Sequence, residues 1–89
     1  MSGTESPPLQ FPCAFPIKIM GKATSEFELT AVSIVRKHAP DLAEGAVTTR
    51  ASKQANYLAI TVTINAQSQA QLDAIYCELT ACSEVLMAL

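Results

Sequence analysis

The residues best able to do chemistry in this chain are few and scattered. His38 is the single histidine, and a histidine acts as a general base only with a nucleophile or carboxylate in reach. Its place on an apolar helical stripe near a helix end points instead to packing or capping. Cys13, Cys77 and Cys82 are an odd set with no paired C-x-x-C spacing, a poor disulfide framework and a poor zinc site. They read as three buried or half-buried free thiols, since free cysteine packs as a small hydrophobe. Glu26, Glu28, Asp73 and Glu78 read as solvated helix charges rather than acid–base groups. No catalytic, metal or cofactor site is therefore assigned. One binding feature remains in Gly21, Lys22, Thr24 and Ser25, which lead from a strand into a helix start. Backbone N–H groups at such a start can hold a small anion or carboxylate, although a cap at Ser25 would consume one donor.

The elements that would position these residues follow from periodicity. Phe15, Ile17 and Ile19 alternate with Pro16, Lys18 and Met20, the period of a half-buried strand, and Gly21 reads as the turn out of it. Ser25 with Glu28 forms a capping box, with Thr24 as an alternative cap. Phe27, Ala31, Ile34, Val35 and His38 then share one helical stripe. Ala39-Pro40 stops the helix, because a residue before proline is pushed out of the α region. Asp41 to Gly45 connects to a short strand, Val47 to Ala51, and Ser52 to Asn56 suits a hairpin turn. From Tyr57 to Asn65, Leu58, Ile60, Val62 and Ile64 form an unbroken apolar face, as expected of a central strand. Ser68 with Gln71 makes a second capping box, opening a helix over 68–81 with Leu72, Ile75, Tyr76 and Leu79 on one stripe. Glu84 to Leu89 reads as a last strand.

The order strand, helix, strand, strand, helix, strand, joined by right-handed crossovers, puts both helices on one face of the sheet. The expected architecture is an α+β, ferredoxin-like βαββαβ sandwich. Its four-stranded antiparallel sheet has the first and third strands central. Residues 1–10, rich in Ser, Gly, Thr and Pro, read as a loose tail and 11–89 as the domain. The sheet face away from the helices would carry Lys18, Met20, Tyr57, Thr61 and Thr63. The last strand, Val85, Leu86, Met87, Ala88 and Leu89, would be an edge without a charged side chain, whereas natural edges are usually blunted. That edge is the expected contact for a second copy of the chain or a protein partner.

Composition narrows the classes further. Apolar residues make up 49% of the 89-residue chain, which suits one packed domain. The net charge of −2 and the dispersed basic residues weigh against nucleic acid, which selects a dense basic stripe. An RNA-binding sheet would also stack bases on aromatics of its central strands, and only Tyr57 is available there. Met1 to Pro8 lacks a signal-peptide pattern, and no stretch approaches the ~18–20 apolar residues of a membrane span. A cytoplasmic location with no membrane partner is expected.

Several stretches together resemble one family. Phe11-Pro12 with Phe15, Lys18-Ile19-Met20-Gly21, and Arg36-Lys37-His38-Ala39-Pro40 look like the YbeD-like family of small bacterial proteins. Ser52-Lys53 leading to Asn56-Tyr57, Ile64-Asn65-Ala66, Leu72 to Tyr76 to Leu79, and Val85 to Met87 to Leu89 continue the likeness over about residues 11–89. The chain departs at Ala55, where relatives often carry glycine. The resemblance implies a ferredoxin-like fold similar to the ACT-type regulatory domains of amino-acid biosynthetic enzymes, and no settled activity. ACT-type domains bind amino acids near the first strand-to-helix loop, here Gly21 to Ser25. The Asp-x-Pro-Gly-like signature of amino-acid sensors is absent from this sequence. These features leave two expectations: a small non-enzymatic regulatory or interaction module, or an ACT-like sensor of a small amino acid or carboxylate.

Overall fold

Alternation along Tyr57–Ala66 sends Ile60, Val62, Ile64 and Ala66 into the interior while Thr63 and Asn65 stay exposed, as the two-residue period of a pleated strand requires. This strand is the third of four in the computed structural model, which describes residues 10–52, 54 and 56–89. The elements run β1 (Cys13–Lys22), α1 (Ser25–His38), a 3-10 turn (Glu44–Ala46), β2 (Val47–Ala51), β3 (Tyr57–Ala66), α2 (Gln69–Ala81) and β4 (Val85–Ala88). The sheet order is β2-β3-β1-β4, with every neighbouring pair antiparallel. The ferredoxin-like βαββαβ topology expected from the sequence is the one formed.

Both helices cover the same face. Phe27, Ala31 and Val35 of α1 and Leu72, Ile75 and Leu79 of α2 join Ile17, Ile19, Ile60, Val62 and Ile64 in one buried cluster. Fully burying a large aliphatic or aromatic side chain contributes about 1.5–3 kcal/mol relative to exposure, so this layer is what holds the sheet. Phe11 packs against the same cluster. The tail assigned to residues 1–10 lies, apart from an exposed Gln10, outside the described residues, as do Lys53 and Ala55 of the hairpin turn.

Local readings shift in four places. Thr24, not Ser25, caps α1: its hydroxyl accepts from the Phe27 amide at 3.1 Å. Adjacent hydroxyls satisfy the capping pattern equally, and one residue of register decides between them. Gly21 does not turn the chain but lies buried inside β1, opposite Leu58 and Val85. β1 starts earlier than its alternation suggested, at Cys13, which faces Ala66. At the second helix, Ser68 accepts from the Gln71 amide at 3.1 Å, while the Gln71 side-chain oxygen accepts from the Gln67 amide at 2.7 Å. The return bond of that capping box therefore lands one residue early.

Candidate functional site

The outer edge of β4 takes its geometry from Lys18 of β1. The Leu89 N–H donates to the Lys18 carbonyl at 2.7 Å, and the Lys18 N–H donates to the Leu89 carbonyl at 3.0 Å. Backbone groups of an antiparallel strand alternate sides along the chain. With Leu89 turned toward β1, the N–H and C=O of Ala88 point to the open side. Met20 lies opposite Met87, Gly21 opposite Val85, and Leu86 is left over between them as a bulge. Leu86, Met87 and Leu89 are 56%, 49% and 65% exposed. The expected uncharged edge is present, but it is not wholly unprotected: the bulge interrupts it near its start, a common device at sheet edges.

The Gly21–Ser25 segment is engaged in folding. Ala23 donates its amide to the Asn56 carbonyl at 3.1 Å and Thr24 to the Lys22 carbonyl at 2.8 Å. The Phe27 amide goes to the Thr24 hydroxyl. Glu26 and Glu28 occupy the first turn of α1, where their carboxylates already complement the helix dipole. Lys22 and Ser25 are exposed beside this turn.

The titratable groups read as unrelated from the sequence do meet. Glu78 on α2 accepts from the Lys37 ammonium at 2.7 Å through one carboxylate oxygen, and His38 Nε2 donates to the other at 2.7 Å. Hydrogen bonding from Lys37 first, and from His38 second, holds the Glu78 carboxyl below its ordinary value. Glu78 is thus not an isolated solvated charge. His38 is half-buried as expected, and its ring is bound to a carboxylate in addition to packing. Beside it, the Gln71 side-chain amide donates to the His38 carbonyl at 2.7 Å, so three hydrogen bonds tie the end of α1 to α2. In the sequence Lys37 and His38 are simply neighbours in the Arg36–Pro40 stretch. Their shared partner, Glu78, stands 40 positions away from His38 and is set by how the helices pack.

Cys13 and Cys82 are partly buried free thiols, whereas Cys77 is exposed, because it lies away from the buried stripe of Leu72, Ile75 and Leu79 on α2. Burial raises the Tyr76 hydroxyl above its usual range. Among the described residues no group of three or more His, Cys, Asp or Glu is placed to hold a metal ion. No helix among them is long and apolar enough to cross a membrane.

The comparisons with known proteins agree with this fold. A family model described as "Protein of unknown function (DUF493)" matches residues 6–89. A UPF0250 protein of Chromobacterium violaceum is 47% identical over 89 residues, 100% of each chain. A UPF0250 protein of Paraburkholderia phytofirmans is 46% identical over 80 residues, 90% of each chain. The solution structure of Protein HP0495 from H. pylori superposes with a TM-score of 0.75, covering 100% of this chain and 93% of that one. At 14% identity it bears on the fold alone. With a full-length relative at nearly half identity and a family model spanning all four strands, the chain belongs to the DUF493 family, the YbeD-like UPF0250 proteins of bacteria.

Proposed function

We propose that the protein is a small non-enzymatic regulatory module of the cytoplasm whose working unit is a pair of chains joined along β4. The observation that carries this reading is the outward-facing N–H and C=O of Ala88 on an edge whose exposed side chains, Leu86, Met87 and Leu89, bear no charge. Two antiparallel copies related by a twofold axis can exchange those groups reciprocally, since such an interface matches a surface to itself. Like charges directly opposite one another destabilise strand pairs, and the side chains of Val85 to Leu89 carry none. The bulge at Leu86 confines the pairing to a short stretch. Pairing also answers the thin margin of a domain of this size, which buries a smaller fraction of its surface than a large one.

Sensing of an amino acid or small carboxylate at Gly21 to Ser25 ranks second. Three amide donors around that loop are engaged, and Glu26 and Glu28 oppose an incoming carboxylate. Light scattering across a concentration series tests the first reading. The native chain should have the mass of two copies, and Leu86→Lys the mass of one. A native chain that stays monomeric at high concentration removes it.

A further inference from the structure

The four strands, Cys13–Lys22, Val47–Ala51, Tyr57–Ala66 and Val85–Ala88, hold no carboxylate. They do hold three cations, Lys18, Lys22 and Arg50, in a protein of net charge −2. The helices carry both signs, with Glu26, Glu28, Asp73 and Glu78 against Arg36 and Lys37. With no carboxylate on any strand to offset them, these cations leave the uncovered sheet face positive.

Register concentrates that charge. Lys18 lies opposite Thr61, which lies opposite Thr48; one step along, Arg50 lies opposite Ala59. Lys18 and Arg50 stand on strands two spacings apart, roughly 9–10 Å, with β3 between them. The small side chain of Ala59 leaves a depression there of about 440 Å³, lined by Lys18, Thr48, Thr49, Arg50, Ala59 and Thr61. That size falls in the range of small-molecule sites. Among the described residues neither cation is paired with a carboxylate. The Thr48 hydroxyl spends its proton on a long 3.4 Å bond to the Thr61 carbonyl.

We propose that this depression is a binding site for the oxyanion group of a small ligand, a phosphoryl or carboxylate group held between Arg50 and Lys18 over Ala59. A guanidinium presents a planar fork that matches two oxygens of such a group, while an ammonium adds a point charge from the opposite wall. A positive, shallow-walled face in an otherwise acidic protein also draws anions toward it. The site shares no side chain with the β4 edge and stands whether or not two chains pair.

Titration of the full chain with pyrophosphate and, separately, with citrate tests this, at constant ionic strength and with backbone amides followed by NMR. The amides of Lys18, Thr48, Arg50, Ala59 and Thr61 should shift together and saturate. Saturation by pyrophosphate alone assigns a phosphoryl ligand, by citrate alone a carboxylate ligand, and by both an oxyanion site of either kind. Arg50→Gln and Lys18→Gln should each weaken the midpoint about tenfold, the scale of a lost charge-assisted hydrogen bond. Arg36→Gln, an exposed cation on α1 away from the depression, should leave it unchanged. Shifts that never saturate with either anion, or that survive both Arg50→Gln and Lys18→Gln at the same midpoint, overturn the proposal. All of these side chains are exposed, so the variants should keep the dispersed spectrum of the folded protein.

Discussion

Gly21 and Phe27 share one space in the core. A Cβ placed on Gly21 would come within 2.5 Å of the Phe27 ring and 2.5 Å of the Glu84 carbonyl oxygen. The closeness lets α1 start directly above β1, so the ring of its first turn fills the interior where the strand offers no side chain.

Gly21→Ala should therefore destabilise the protein by about 1–3 kcal/mol, the usual cost of forcing extra volume into a packed site. Urea unfolding reads this as a lower midpoint at unchanged slope. Gly45, which has open space around its α-carbon, should tolerate alanine with far less effect.

Capping gives a sharper test of local structure. Thr24→Ala removes the oxygen that accepts the Phe27 amide and should cost about 1 kcal/mol. Ser25→Ala should change stability little. Equal losses at both positions would contradict the placement of the cap.

Glu78 predicts a pH dependence. Its carboxyl is held below the ordinary value of 4.5 by Lys37 and then His38, so the folded state favours the ionised form. That contribution is complete above the unfolded value and is lost as pH falls through the lowered folded value. Glu78→Gln should be less stable than the native chain near neutrality, and the two should converge under acid. Because the side chains are partly exposed, salt should narrow the difference. A constant gap between native and variant from neutral pH into acid would contradict the assignment.

How much of this could be read in the residues depends on the range of each interaction. The alternation of Leu58, Ile60, Val62 and Ile64, and the stop at Ala39-Pro40, are local, and both marked their elements. Gly21 reads as a turn in the sequence, yet its smallness serves Phe27 and Glu84, groups that only the fold brings near. The choice between Thr24 and Ser25 turned on one residue of register, which a hydroxyl pattern does not resolve. Glu78 meets Lys37 and His38 only through helix packing, and Lys18 and Arg50 come to line one depression only through strand register. The edge at Val85 to Leu89 was visible as an uncharged run, but its bulge at Leu86 was not.

The central claim, pairing through β4, is tested most directly by hydrogen exchange at two neighbouring amides. The Leu89 amide bonds to Lys18 within one chain, while the Ala88 amide faces outward. If chains pair along β4, the Ala88 amide should be open at high dilution and gain protection as concentration rises, with Leu89 protected throughout. An Ala88 amide that exchanges freely at every concentration, beside a protected Leu89, would contradict it.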